Sequence, residues 1–137
     1  MSTSSKEFLS PKTLTPPVGY SHVAKARGGT TVYLAGQVSS DGSGALIGEG
    51  NFEAQVEQVF KNLKTAMEAA GGTMADIVKL NIYLVAEVQQ SEVPKLRAIR
   101  DRYVNVQSPP ASTLVTVTRL ARPGWLVEIE AVAVVDG

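Results

Sequence analysis

The spacing of apolar positions changes several times along the chain, and each change marks an element. Two runs, YSHVAKAR and TTVYLAGQV, flank Gly28 and Gly29 between Tyr20 and Val38. They read as a strand, a positive-φ hairpin turn and a second strand. Residues 39–50 are rich in Gly and Ser and read as a surface loop, without the spacing or the Lys-Ser/Thr of a phosphate-cradling loop. The period then lengthens. Phe52, Val56, Val59, Phe60, Leu63, Met67 and Ala70 form the stripe of an amphipathic helix, capped by Asn51, with Glu53 favourable in its first turn and Gly71 and Gly72 at its end. Alternation returns over residues 77–84, where Val78, Leu80, Ile82 and Leu84 should meet that helix and Lys79, Asn81 and Tyr83 face away. A second helix is predicted over residues 91–103, with Pro94 tolerated in its first turn. Val93, Leu96, Ile99 and Tyr103 form its buried side, and Arg97 can pair with Asp101 on its exposed side.

The C-terminal stretch reads as two antiparallel strands, residues 112–118 and 126–135, separated by a turn at Arg122, Pro123 and Gly124. One face of the last strand carries Leu126, Glu128, Glu130, Val132 and Val134, the other Val127, Ile129, Ala131, Ala133 and Val135. A strand apolar on both faces has to be covered on both. Glu128 and Glu130 therefore belong at a wet cleft, in an ion pair or at a subunit seam. The order ββαβαββ is an α+β layout in which two helices cover one face of a mixed sheet. Tyr33, Ala35, Tyr83 and part of the last strand leave the other face too apolar to stay wet, which predicts a closed homo-oligomer.

Composition narrows the chemistry. The chain has 137 residues, enough for one domain over residues 18–137, and Pro11, Pro16 and Pro17 make residues 1–17 a loose lead-in. Its 13 basic and 13 acidic side chains cancel, so charge suggests no RNA or anionic-membrane partner. There is no cysteine, and His22 is the single histidine. Thiolate nucleophiles and cysteine-ligated metals are thereby excluded, a zinc or histidine-based triad site is not expected from the one histidine, and no metal or cofactor is expected. MSTSSKEFLSPK has no apolar core of a signal peptide, no run is long enough to span a bilayer, and the cytoplasm is the expected compartment.

Five segments in order then bring a family into view: AGQV (35–38), NLKTAMEAAGG (62–72), DIVKLNIYL (76–84), PPAST (109–113) and VEIEAVAV (127–134). Together they resemble the RidA/YjgF family, also called the endoribonuclease L-PSP family, over about residues 17–135. The resemblance implies a chorismate-mutase-like fold, a homotrimer, and small-molecule clefts between subunits. It also implies hydrolysis of 2-enamino and 2-imino acids to 2-keto acids and ammonia. Glu128 matches the family's water-handling Glu, Tyr20 the aromatic of its GPYS-like segment, and Gly36 and Gln37 the cleft-lining pair of its SGQ segment. Where the enzymatic branch reads Pro-Ala-Arg-Ser, this chain has Pro110, Ala111, Ser112 and Thr113. Ser112 thus stands where the carboxylate-gripping Arg is expected. A hydroxyl donates a hydrogen bond but brings no charge, and losing a bidentate charge-assisted contact costs about 2–3 kcal/mol.

Three readings follow. One is a cleft hydrolase or deaminase of a small imine, enamine or related carbon–nitrogen compound, with Glu128 positioning water and Tyr20, Ser112 and Thr113 orienting substrate. Arg27, Arg119 and Arg122 are candidates to replace the absent Arg. The second is a non-catalytic trimeric module binding a small metabolite or a partner protein, in which Glu128 is an interface carboxylate. The third, a ribonuclease or translation inhibitor, is weakened by the neutral charge and the lack of a histidine pair.

Overall fold

A computed structural model describes residues 3–137. The strands are β1 (Ser5–Leu9), β2 (Val23–Arg27), β3 (Thr30–Gln37), β4 (Ile77–Val85), β5 (Ala111–Val117) and β6 (Val127–Val135). The helix α1 (Phe52–Ala69) falls between β3 and β4, and α2 (Val93–Arg100) between β4 and β5. A four-stranded sheet runs β3-β6-β4-β5, parallel between β4 and β5 and antiparallel elsewhere, and β1 and β2 form a separate antiparallel ribbon. This is the α+β architecture expected of the chain, with one strand more at its N-terminal end.

The helices form where the pattern places them. Asn51 accepts the Ala54 N–H at 3.0 Å, and Gly71 leaves α1 at φ 83°, a left-handed value that favours glycine. Phe52, Val56, Val59, Phe60, Leu63 and Met67 are buried against Leu80, Ile82, Leu84, Ile129, Ala131 and Ala133 of the sheet. Each such side chain contributes about 1.5–3 kcal/mol through burial. Val93, Leu96 and Ile99 of α2 complete the same core. Tyr103 stacks on Phe60 at 5.3 Å and donates its hydroxyl to Glu57 of α1.

Several local expectations are corrected. Gly28 and Gly29 do have positive φ, each 68°, yet β2 and β3 do not form a hairpin. β2 pairs with β1, β3 pairs with β6, and the glycines turn the chain from one sheet into the other. Turn chemistry fixes the local bend, whereas ladder partners come from distant segments. Ser5–Leu9, inside the predicted lead-in, is a strand because Lys6 and Phe8 alternate with more exposed neighbours opposite β2, while the prolines begin only at Pro11; residues 1–2 lie outside the described residues. β5 and β6 are antiparallel in direction but not adjacent, since β4 lies between them. The β4–β6 register shifts between Ile77 and Lys79, so Ile77 is buried at 2% exposure and Val78 only partly. Arg97 does not pair with Asp101. The neighbouring Arg100, buried and closer, takes that carboxylate at 2.9 Å.

Candidate functional site

The sheet register separates the predicted site residues into groups. On β6, Ile129 opposes Ile82 and both are buried in the helix-side core, so Glu128, opposite Tyr83, points to the open face. β4 and β5 are parallel and in register, and paired residues of such strands share a face. Ser112, opposite Leu80, therefore lies on the helix side, while Thr113, opposite Asn81, lies on the open face. Thr113 accepts a hydrogen bond there from Lys79 Nζ at 2.8 Å. Glu128 and Ser112 thus occupy opposite faces of one sheet.

Around Glu128 the structure explains a glycine. The β3–β6 register shifts between Leu34 and Gln37, which turns Gly36 toward Glu128. A Cβ on Gly36 would stand 2.1 Å from Glu128 Oε2 and 2.9 Å from its Cδ. The carboxylate lies directly over the glycine backbone. Glu130, two residues along, accepts the Tyr83 hydroxyl at 2.8 Å. That bond first, then burial and the charges of Glu130 and Glu128, raise the Tyr83 pKa above its usual value. Glu128 has neither an ion-pair nor a hydrogen-bond partner among the described residues. Gln37 is not brought to it. The Gln37 side chain lines a different cavity, with Gln58 and Asn62 of α1, and donates to the Ala35 carbonyl at 3.3 Å.

Around Ser112 the chain builds a second recess. Ser21 fastens the segment after Gly19 to the start of β5: its N–H donates to the Pro110 carbonyl at 3.1 Å and its hydroxyl to the Pro109 carbonyl at 2.7 Å. This brings Tyr20 beside Ser112 in a cavity of about 200 Å³, also lined by Val18, Ile82, Leu114, Arg97 and Arg100. His22, just before β2, hydrogen-bonds through Nε2 to the Thr15 carbonyl at 2.6 Å, which puts the proton on Nε2 and ties the proline-rich segment down. None of Arg27, Arg119 and Arg122 reaches this cavity: Arg119 and Arg122 line a separate one of about 470 Å³ beside Trp125.

The arginines that do line the recess, Arg97 and Arg100, were missed by sequence reasoning. One signal was present. Arg100 falls four residues after Leu96, on the apolar stripe of α2, where a charge needs a reason.

The chain is thus an α+β domain with two helices on one face of a mixed sheet and, on the other, a carboxylate without a partner among the described residues. Residues 11–135 match the family described as Endoribonuclease L-PSP. The chain is 33% identical over 129 residues to a RutC family protein of Pyrococcus horikoshii, covering 93% of this chain and 97% of that one. It is 31% identical over 135 residues to a 2-iminobutanoate/2-iminopropanoate deaminase of Dermatophagoides farinae, covering 97% and 99%. Among solved structures, the Rid-family protein YyfB of Yersinia pestis superposes with TM-score 0.88 at 34% identity, covering 95% and 98%. RidA of an Antarctic Psychrobacter superposes with TM-score 0.68 at 34% identity, covering 94% and 99%. The chain belongs to the RidA/YjgF family, as its motifs implied. No helix among the described residues is long and apolar enough to cross a membrane.

Proposed function

We propose that this protein is a homotrimeric imine deaminase whose active site forms between subunits. The reading rests on one observation: Glu128 lies unpaired over Gly36, while its neighbour Glu130 is held by Tyr83. A free, partly exposed carboxylate beside open backbone is suited to hold and deprotonate a water molecule. The substrate is a small 2-imino or 2-enamino acid. Water attacks the C2 carbon of the imine as Glu128 takes its proton, and the tetrahedral adduct collapses to the 2-keto acid and ammonia. The balance is one imine and one water consumed, one keto acid and one ammonia released.

Opposite faces of a sheet cannot grip one small molecule. Tyr20 and Ser112 of one copy therefore meet Glu128 of another. Tyr33, 79% exposed on β3, and Val115, 42% exposed on β5, are apolar surface that such an assembly would cover. The relative from Dermatophagoides farinae, named for this activity, supports the reaction class, and the cytoplasm is the compartment this reading assigns. A second reading, a trimeric binding module without catalysis, draws on Ser112 in place of the expected Arg.

Ammonia release from freshly generated 2-iminobutanoate separates the two. The native protein should accelerate release, and Glu128→Gln should lower the rate by about 10²–10⁴-fold. An inert native protein, or a Gln variant as fast as native, overturns the deaminase reading.

A further inference from the structure

The recess that holds Tyr20 and Ser112 has two charged side chains on its wall, Arg97 and Arg100, and both are cationic. They project from α2 three residues apart, which places them on one flank of the helix. Their circumstances differ. Arg100 is 4% exposed and committed: Nε donates to Asp101 Oδ1 at 3.0 Å, Nη2 stands 2.9 Å from the same oxygen, and Nη2 reaches the Val18 carbonyl at 3.5 Å. It lies against Gly19, where a Cβ would come within 1.8 Å of Nη2, so it braces the segment that presents Tyr20. Arg97 is only partly buried and pairs with no carboxylate among the described residues. A guanidinium without a carboxylate partner, in a recess also lined by Tyr20 and Ser112 and by no acidic side chain, is suited to an oxyanion.

We infer that Arg97 is the anion-holding residue of this protein, gripping the carboxylate of a small keto-, imino- or enamino-acid ligand while Tyr20 and Ser112 hydrogen-bond to it. The charge that β5 lacks at Ser112 is supplied from α2, across the same recess. The cavity of about 200 Å³ has room for a short-chain acid. Arg100 is a positioning residue, holding the wall in place through Val18 and Gly19. The inference rests on the reading in which this recess and Glu128 of another copy form one site.

The test is calorimetric titration of the full chain with 2-oxobutanoate, a stable carboxylate probe, and with its neutral amide. Native protein should bind the acid at least about tenfold more tightly than the amide. Arg97→Gln should weaken acid binding by about 10–100-fold and leave amide binding within about twofold of native, while Arg97→Lys recovers part of the loss. Arg27→Gln, which removes the same charge at the end of β2 away from the recess, should change neither. The inference is overturned if native protein fails to prefer the acid, or if folded Arg97→Gln binds it as native does. Its failure is distinguishable from that of the deaminase reading. Arg97-dependent acid binding without ammonia release leaves this inference standing and removes the deaminase; ammonia release indifferent to Arg97→Gln does the reverse.

Discussion

Replacing Gly36 with alanine isolates the placement of Glu128 from the stability of the fold. Gly36 does not have positive φ, so its backbone accepts alanine without strain. The added methyl would stand 2.1 Å from Glu128 Oε2, 2.9 Å from Cδ and 3.1 Å from Cγ. Ordinary contact between such atoms needs about 3.5 Å, so the carboxylate has to move by more than about 1 Å. Because the clash is with the flexible end of a partly exposed side chain, the stability cost is that of a displaced rotamer, about 0.5–1.5 kcal/mol. For a domain of this size that lowers Tm by about 2–8 °C. The effect on rate is larger, since a misplacement of about 1 Å in a reacting group costs on the order of 100-fold. Thermal melting and ammonia release from 2-iminobutanoate, measured on the same sample, read the two effects separately. A rate within about threefold of native would refute the reasoning about Glu128. A destabilisation above about 3 kcal/mol would show that Gly36 serves the fold instead.

Two further predictions concern the frame. Gln55 is fully buried in α1 and satisfies three backbone groups, donating to the carbonyls of Gly48 at 3.2 Å and Gly124 at 2.9 Å and accepting the Leu126 N–H at 2.9 Å. Gln55→Leu leaves those groups unpaired and should cost about 2–5 kcal/mol in urea unfolding, with a loss under about 1 kcal/mol counting against this role. Burial, and then its hydrogen bond to Glu57, push the Tyr103 phenol up to about 12. Its folded pKa is thus raised above the unfolded value near 10, so its contribution is present below about pH 10 and is lost as pH rises toward 12. Native protein should lose more stability than Tyr103→Phe across that window, and parallel loss in the two would contradict the assignment.

What the sequence made legible follows from the range of the interactions involved. Asn51, the apolar stripe from Phe52 to Met67 and Gly71 are local signals, and α1 forms where they place it. Faces on β6 were also readable, because period-2 alternation put Ile129 in the core and Glu128 outside it. Pairing was not. The glycines at 28 and 29 predict a bend correctly but not its strand partners, and β5 and β6, close in sequence, are separated by β4. Register shifts, invisible in a single sequence, decided that Ile77 rather than Val78 is buried and that Gly36 meets Glu128. The candidate site divided along the same line. Motif matching picked out Glu128, Gly36, Tyr20 and Ser112, and only the register separates them, Glu128 and Gly36 on the open face and Ser112, with Tyr20 beside it, on the helix side. Arg97 was read as a solvated partner of Asp101 because helical spacing allows that pair; Arg100, next to Asp101 in sequence, takes the carboxylate instead, and only its burial against Val18 and Gly19 is a tertiary effect.

The central claim is that the site is completed by a second copy, and subunit mixing tests it. Glu128→Gln removes the carboxylate from one half-site, and Ser112→Trp fills the recess of the other. Each protein alone should be inactive. After dissociation and reassociation of an equal mixture, random assembly places an intact Ser112 recess against an intact Glu128 at about one interface in four, so roughly a quarter of native ammonia release should return. A mixture that stays as inactive as its parents, with exchange of subunits verified by mass spectrometry, would contradict the account.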